Sequence, residues 1–243
     1  MKLLVDIGNT LIKFAIFESD EMIYKSSLEN FSEVNFNEII KKYNISSAII
    51  SSVRKNNDEL LKFVSSKLPF IFLDQNTKLP IKNNYLSKDT LGKDRLAAVV
   101  GASILYPNKN VLVIDAGTCI TYDFISSDKI YYGGAISPGL NMRLKSLNTF
   151  TSQLPLVTLQ ENTIPNLTGN TTNTSILSGV IRGFAGEINS IIESYSLENK
   201  NLKTIVTGGD YKYFDKLLKY KTFAAPNLVF VGLKGIMDFN EKI

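Results

Sequence analysis

Short runs of alternating hydrophobic and polar residues open the chain and return in its middle. Residues 3–24 have the pattern of three strands: an apolar run ending in Asp-x-Gly, an alternating run, and a third run after an acidic turn. Residues 112–132 repeat this order with similar residues. Because such a repeat indicates a duplicated structural unit, we predict two related α/β domains, residues 1–107 and 108–243.

Further helices and strands are predicted after each repeat. In the first half, the pattern predicts helices near residues 36–43, 57–67 and 94–106 and strands at 47–53 and 70–73. In the second half, helices are predicted near residues 140–150, 172–195 and 211–220, with a long irregular stretch before residue 172. The last helix follows a strand that ends in Thr207-Gly208-Gly209-Asp210.

The helix predicted over residues 172–195 has one continuous apolar face but contains Gly179, Gly183 and Gly186. Each glycine in a helix interior costs about 1 kcal/mol relative to alanine. Three of them together therefore indicate the close approach of another backbone. A partner subunit and the protein's own sheet explain the glycines equally well at this point.

Composition removes several classes of chemistry. The chain has 243 residues, 44% of them hydrophobic, which is enough for a sizeable core. It has no histidine, which excludes Ser-His-Asp and Cys-His nucleophiles and histidine metal sites. Its one cysteine, Cys119, cannot form an internal disulfide and suits a reducing compartment. Proton transfer is therefore expected from Asp, Glu, Lys or Tyr.

Charge and hydropathy narrow the expected partners. The net charge of +4 comes from scattered Lys and Arg residues rather than a dense basic run, so no nucleic-acid partner is expected. No apolar run approaches the roughly 20 residues of a membrane helix, and the apolar start is too short for a signal peptide. We therefore expect a cytoplasmic protein without a membrane partner.

Two loops carry the candidate chemistry. Asp6-Ile7-Gly8-Asn9-Thr10 and Asp115-Ala116-Gly117-Thr118 each place a carboxylate at the end of a buried strand, followed by a small residue and hydrogen-bond donors. Such donors suit phosphate oxygens, and the carboxylate suits the cation that a nucleotide carries. A single copy is better explained by an ordinary hairpin turn. Two copies in register favour nucleotide binding between two domains.

A third element, Gly92-Lys93-Asp94-Arg95, precedes an apolar helix. Aspartate is a favoured N-cap, so Asp94 has a purely structural explanation. Arg95 in the first turn opposes the helix dipole, which favours a second task such as binding an anionic or carbonyl-rich substrate.

Together with the glycine pair at Gly208, the two Asp-x-Gly loops resemble the motifs of the superfamily of acetate and sugar kinases, heat-shock ATPases and actin. That resemblance implies two ribonuclease-H-like domains, related by duplication, with ATP between them. The chain as a whole resembles the type III pantothenate kinases. The matching motifs are DIGNT at Asp6, Tyr85 followed by LGKDR at Leu91, DAGT at Asp115, GGAISPGL at Gly133, LP at Leu154, GNTT at Gly169, TGGD at Thr207 and NLVFVGL at Asn227.

The family resemblance implies phosphorylation of the primary hydroxyl of pantothenate by ATP, the first step toward coenzyme A. Asp94 would be the general base, and Asp115 would hold a monovalent cation, K⁺ or NH₄⁺, while Mg²⁺ accompanies ATP. The implied ATP-binding residues are Asp6, Ile7, Gly8, Asn9, Thr10, Leu11, Ile12, Lys13 and Thr118. The implied pantothenate-binding residues are Tyr85, Gly92, Lys93, Asp94, Arg95 and, from the neighbouring subunit of a homodimer, Thr172.

Two other functions are also compatible with the sequence. The same family includes proteins described as accessory factors in transcription, although a binding-only protein has little physical reason to keep the paired carboxylates. Another small-molecule kinase or phosphatase of the superfamily is the second reading. No P-loop is present in the sequence, so the P-loop kinases are not the model. A further phosphate or substrate contact from Lys13 or Lys93 is a hypothesis.

Overall fold

The computed structural model describes residues 1–54, 58–161 and 163–242. Its contacts divide the chain into two units, one made of Met1–Leu105 with Asn227–Ile243 and the other of Tyr106–Pro226. The division after Leu105 lies two residues before the predicted boundary. The predicted second domain extended to residue 243, whereas the contacts group the last segment with the first unit, because its helix packs on a helix there.

The first unit has six strands and four helices among its described residues. They are β1 (Lys2–Ile7), β2 (Ile12–Glu18), β3 (Glu21–Leu28), α1 (Glu33–Lys42), β4 (Ser47–Ser52), α2 (Asp58–Ser65), β5 (Phe70–Phe72), β6 (Lys82–Asn83), α3 (Lys93–Leu105) and, from the end of the chain, α6 (Leu228–Glu241). Five strands follow the order β3-β2-β1-β4-β5. The pairs β1–β2 and β2–β3 are antiparallel, and β1–β4 and β4–β5 are parallel.

The second unit contains β7 (Val111–Ala116), β8 (Cys119–Ile125), β9 (Ile130–Pro138), α4 (Leu140–Thr149), α5 (Thr172–Glu198), β10 (Lys203–Thr207) and β11 (Phe223–Ala224). Its strands follow the order β9-β8-β7-β10-β11. The first two pairs are antiparallel, and the last two are parallel. This is the strand order and direction of the first unit, so the predicted duplication is confirmed.

Each unit buries its own apolar core. In the first, the inward residues of β1 and β2 pack against α1 and α2 around the aromatic group Phe14, Phe36 and Phe63. In the second, β7 and β8 pack against the apolar face of α5 around Phe184 and Tyr122. Central β1 and β7 are buried along most of their length because sheet neighbours and helices cover them.

α3 and α6 pack so closely that no side chain fits at one contact. A Cβ atom on Gly232 would lie 1.7 Å from the carbonyl oxygen of Ala97. Glycine at this position therefore lets the two backbones touch. In α5, where such an approach was predicted, a Cβ on Gly179, Gly183 or Gly186 would meet nothing within 4 Å among the described residues.

Most predicted helices and strands agree with the structure within a few residues at each end. The start predicted for the second helix, Asn57, lies outside the described residues. The helix predicted over residues 211–220 is wrong: two short 3₁₀ turns, Tyr211–Tyr213 and Asp215–Leu217, stand in its place. The Asn189 side chain on α5 donates to the Leu217 carbonyl and accepts from the Lys219 N–H, and these bonds hold the backbone out of a helix.

Candidate active site

The first Asp-x-Gly loop is the tight connection of the β1–β2 hairpin. Asp6 and Lys13 are direct partners across the two strands, as are Ile7 and Ile12. The Gly8 N–H donates to the Leu11 carbonyl at 3.0 Å and closes the turn. Asn9 and Thr10 are exposed at its tip, as is the Lys13 side chain on β2. The predicted ATP-binding residues of this loop therefore form one continuous turn.

The carboxyl group of Asp6 is buried at the end of β1, with 6% of the residue exposed. Ser51, its register neighbour on β4, donates a hydrogen bond to Oδ1 at 2.8 Å. Burial raises the pKa of Asp6 to about 6; the Ser51 bond and the positive charge of Lys13 lower it, whereas the negative charge of Asp94 raises it. Asp94 and Lys13 therefore lie close enough to Asp6 to influence its charge.

Asp94 lies in the first turn of α3 rather than before it. The helix begins at Lys93, so the N-cap reading of Asp94 is wrong by two residues. One carboxylate oxygen, Oδ1, accepts from the Arg95 N–H at 2.8 Å. A Cβ on Gly92 would lie 2.6 Å from this same oxygen. Glycine at residue 92 therefore leaves the space that the Asp94 carboxylate occupies.

The predicted pantothenate residues Tyr85 and Arg95 are neighbours. The Arg95 guanidinium carbon lies 5.6 Å from the centre of the Tyr85 ring, which is the distance of a cation–π contact. Arg95 is 7% exposed, and Tyr85 is half-buried. Two of the predicted pantothenate residues are therefore in contact, and their binding of substrate stays a prediction.

Lys93 points toward the loop that precedes α3. Its Nζ donates to the Lys88 carbonyl at 3.4 Å. Burial raises the pKa of Asp74, but hydrogen bonds from Thr77 and Asn76 together with the charge of Lys93 lower it below its usual value. Lys93 therefore helps to arrange this loop, and its contact with substrate stays a prediction.

The second Asp-x-Gly loop joins β7 to β8. Asp115 is half-buried and lies beside Thr207 in the parallel β7–β10 pair, and Thr118 is exposed. The Gly117 N–H donates to the Cys119 carbonyl at 2.9 Å and closes the turn. The carboxyl ends of neighbouring parallel strands share one edge of a sheet, so this loop and the TGGD element meet there.

The TGGD element packs directly on the second loop. The Asp210 N–H donates to the Ala116 carbonyl at 3.0 Å. Gly208 has φ +95°, and a Cβ there would lie 2.2 Å from the Ala116 oxygen. Burial raises the pKa of Asp210 to about 6, although the charge of Lys212 lowers it. The second unit thus places two carboxyl-bearing turns side by side.

Thr172 lies at the start of α5 on the rim of a groove of about 1020 Å³. Thr171 caps the helix, and its side chain and that of Thr174 satisfy each other's backbone N–H groups. The groove lies between α4 and α5. It is lined by Arg143, Ser146, Leu147, Leu154, Gly169, Asn170, Thr171, Thr172, Ser175, Ile176, Gly179 and Val180. None of these residues belongs to the two Asp-x-Gly loops.

Two residues that support the first loop, Ser51 and Arg54, were not predicted from the sequence. Ser51 binds the Asp6 carboxylate, and the Arg54 Nε donates to the Gly8 carbonyl at 2.7 Å. Their only signal in sequence is the polar end Ser51-Ser52 of an apolar strand. The parallel pairing of β4 with β1 brings this polar end next to the first loop. That pairing cannot be inferred from residue spacing alone.

The donor set suits a cation that arrives with its substrate. No group of three or more Asp, Glu, His or Cys side chains able to hold a metal occurs in the described part of the chain. Mg²⁺ in kinases typically uses one or two carboxylates and the phosphates of the nucleotide, so Asp6 alone is a fitting protein ligand. Asp115 likewise offers hard oxygen for a monovalent cation.

No helix found in the described residues is long and apolar enough to cross a bilayer.

The fold is a duplicated ribonuclease-H-like fold. An inorganic polyphosphate/ATP-glucomannokinase from Arthrobacter sp. strain KM superposes with a TM-score of 0.52 at 14% identity, covering 99% of this chain and 98% of that one. A protein described as a Baf family transcriptional activator from Campylobacter jejuni gives a TM-score of 0.63 at 24% identity, covering 99% and 100%. These likenesses show the fold.

Sequence comparison defines the family. The family model for type III pantothenate kinase matches residues 2–194. A type III pantothenate kinase from Christiangramia forsetii is 44% identical over 99% of both chains, and one from Bacteroides fragilis is 42% identical over 99% of both. The chain belongs to the type III pantothenate kinase family.

Proposed function

We propose that this protein transfers a phosphoryl group from ATP to the primary hydroxyl of pantothenate and thereby begins the synthesis of coenzyme A. The family supplies the reaction. The observation that carries the assignment of residues is the start of α3, where Asp94 acts electrostatically on Asp6 and Arg95 contacts Tyr85. In this proposal, Asp94 lies beside the ATP phosphates, and Arg95 lies beside pantothenate.

Asp94 is the general base of this proposal. The hydroxyl oxygen of pantothenate attacks the γ-phosphorus and its proton passes to the Asp94 carboxylate. The bond from the γ-phosphorus to the bridging oxygen breaks, and ADP leaves. Early proton removal is a small part of a loose transition state, so the main task of Asp94 is to orient the hydroxyl. The space at Gly92 and the bond from the Arg95 N–H support that orientation.

The phosphates of ATP bind the turn from Asp6 to Lys13, and Thr118 adds a contact from the second loop. The exposed tip at Asn9 and Thr10 offers backbone and side-chain donors, and Lys13 adds positive charge. Mg²⁺, when bound with ATP, neutralises phosphate charge and polarises the transferred group. Asp6 would hold it, and Asp115 would hold K⁺ or NH₄⁺, which offsets the negative charge that ATP brings.

Pantothenate binds Tyr85, Gly92, Lys93, Asp94 and Arg95, and Thr172 of a second subunit completes its pocket. The guanidinium of Arg95 suits the carboxylate or amide oxygens of pantothenate. The spacing of Thr172, Gly179, Gly183 and Gly186 places them on one face of α5, with open space above the glycines. That open face supports a homodimer contact.

The test is pantothenate-dependent release of ADP with Mg²⁺, with and without K⁺, for wild type, Asp94→Asn and Asp89→Asn. We expect wild-type activity to require pantothenate and to rise with K⁺, and Asp94→Asn to lose about 10²- to 10⁴-fold in kcat. Asp89 is an exposed carboxylate in the same loop and serves as the matched control. ADP release with a sugar but not with pantothenate, or nucleotide binding without turnover, would contradict the proposal.

A further inference from the structure

The end of β4 supports three consecutive residues of the first Asp-x-Gly loop. Ser51 Oγ donates to the Asp6 carboxylate at 2.8 Å. The Val53 N–H donates to the Ile7 carbonyl at 3.0 Å, and the Arg54 Nε donates to the Gly8 carbonyl at 2.7 Å. Each step along the loop is therefore matched by one bond from this short segment.

The backbone of Arg54 is held by two hydrogen bonds with the Ser52 hydroxyl. Its N–H donates to Ser52 Oγ at 3.0 Å, and that hydroxyl lies 3.3 Å from the Arg54 carbonyl. Arg54 is half-buried. A hydrogen bond from a charged guanidinium to a carbonyl is shorter and stronger than one between neutral groups. The contact with Gly8 is thus a strong one, made by a residue whose backbone is fixed by Ser52.

Because the Gly8 carbonyl is held by Arg54, the direction of the Asn9 N–H is held as well. The peptide bond between Gly8 and Asn9 is planar and trans, so the Asn9 N–H points away from the carbonyl that Arg54 holds. The Gly8 N–H is already used by the Leu11 carbonyl. Rotation of this one peptide plane would therefore redirect the first N–H at the exposed tip of the loop.

We propose that Arg54 is a positioning residue for the phosphoryl donor: it fixes the Gly8–Asn9 peptide plane so that the turn presents its N–H groups to the ATP phosphates, and its charge favours those phosphates. The inference rests on the proposed function of the loop. It assigns to the end of β4 a role in ATP affinity that is separate from pantothenate binding.

The test compares Arg54→Ala, Arg54→Gln and Arg54→Lys by steady-state kinetics in both substrates and by melting temperature. Arg54→Ala is expected to raise the KM for ATP tenfold or more and to leave the KM for pantothenate within twofold. Arg54→Gln keeps an N–H donor without charge, and Arg54→Lys keeps charge without the planar fork. Each is expected to recover part of the ATP affinity.

Ser46→Ala is the matched control, because Ser46 Oγ donates to the Met1 carbonyl at the opposite end of the same strand pair. Loss of that bond should leave both KM values unchanged. An ATP KM within twofold of wild type in Arg54→Ala would overturn the proposal. So would equal rises in both KM values together with a lower melting temperature, which would indicate a purely structural role.

Calorimetric titration with MgADP in the absence of pantothenate separates this inference from the proposed function. If wild type binds MgADP and does not phosphorylate pantothenate, the proposed function fails, and a weaker affinity in Arg54→Ala still supports the role of Arg54. If wild type phosphorylates pantothenate and Arg54→Ala binds MgADP as tightly as wild type, the role of Arg54 alone is wrong.

Discussion

Asp6 ionises with difficulty because its carboxyl group is buried at the end of β1 near the negative charge of Asp94. The Ser51 hydroxyl and the charge of Lys13 only partly oppose these effects, and the pKa remains raised to about 6. A nearby cation would stabilise the ionised form of Asp6, because a positive charge pairs with this carboxylate and reduces its repulsion with Asp94. If Asp6 binds the metal of the nucleotide, as proposed, nucleotide binding and ionisation of Asp6 are linked.

This linkage predicts that ATP affinity falls in mild acid. A raised pKa of about 6 means that Asp6 is protonated below that pH and charged above it. The KM for MgATP, measured from pH 5 to pH 8, should therefore rise as the pH falls through about 6. Asp6→Asn should have a high KM at every pH and no such step. A flat wild-type profile over this range would show that the charge of Asp6 is not needed for ATP.

Gly92 controls the position of the Asp94 carboxylate. In Gly92→Ala the new methyl group would lie 2.6 Å from Oδ1, so the carboxylate must turn away. Because only the end of a rotatable side chain moves, the melting temperature should stay near the wild-type value. A displacement of about 1 Å at a reacting group costs on the order of 10²-fold in rate, and kcat should fall by roughly that factor.

Thr90→Ala serves as the control for Gly92→Ala. The substitution lies two residues earlier and removes a methyl group and a hydroxyl that donates to the Ser87 carbonyl. Its kcat should equal that of wild type. Equal losses in the two variants would indicate that the whole loop had shifted, and an unchanged kcat in Gly92→Ala would mean that the Asp94 carboxylate does not need its observed position.

At this scale, the motif resemblance named the residues of the predicted site, whereas residues whose contacts depend on strand pairing were missed. Asp6, Tyr85, Asp94 and Arg95 were expected in the site, and the first unit brings Asp6 near Asp94 and Tyr85 near Arg95. Arg54 was not expected, because only the parallel pairing of β4 with β1 brings it to Gly8. A lone arginine after a strand carries no such signal.

At the scale of elements, the strand pattern was predictable and the glycine contacts were not. The alternating runs and the acidic turns identify the two three-stranded hairpin units, which the structure confirms. Three glycines in α5 predicted a close backbone approach because they are costly in a helix, yet the close helix–helix approach lies at Gly232 and Gly101, where α6 meets α3. A glycine in an apolar helix does not by itself indicate a close backbone contact. The element that packs on it must be known first.

The contact between α3 and α6 predicts a sharp difference between two glycines of α6. A methyl group at Gly232 would strike the Ala97 carbonyl, which is backbone and cannot turn aside. Gly232→Ala should therefore lower the free energy of unfolding by roughly 3 kcal/mol or more. Urea denaturation of the purified protein measures this loss, and activity should fall with it because α3 carries Asp94.

Gly235→Ala is the matched control, one turn along the same helix. Its methyl group would meet only the tip of the Ile104 side chain, which is 45% exposed and can rotate away. Better helix propensity should offset the small clash and leave stability within about 1 kcal/mol of wild type. Similar losses in the two variants would contradict the idea that backbone contact at Gly232 joins the helices.

At the scale of the whole molecule, duplication explains why two loops of one kind exist. Asp6 and Asp115 end corresponding strands, β1 and β7, in sheets of the same order. The two copies have diverged around them: the first lies near Asp94 and Ser51, and the second lies against Gly208 and Asp210. One ancestral turn thus supports the two proposed tasks, phosphate and Mg²⁺ at the first copy and the monovalent cation at the second.

The glycine face of α5 makes a prediction about assembly. In a single chain, Gly183→Gln meets no neighbour within 4 Å, and glutamine is a better helix former, so the isolated fold should be as stable or more stable. If this face joins two subunits, the longer side chain must prevent close packing there. Light scattering should then give wild type about twice the 27.1 kDa chain mass and the variant a mass near one chain.

The kinetics of the same variant decide whether assembly completes the active site. Because Thr172 lies on the same face of α5, loss of the dimer should raise the KM for pantothenate strongly and leave MgADP affinity near wild type. Glu38→Gln, an exposed change on α1, controls for the effect of an added amide on a helix surface. A monomeric variant with unchanged pantothenate KM would place the whole pocket within one chain, and a wild-type mass of one chain would remove the shared site altogether.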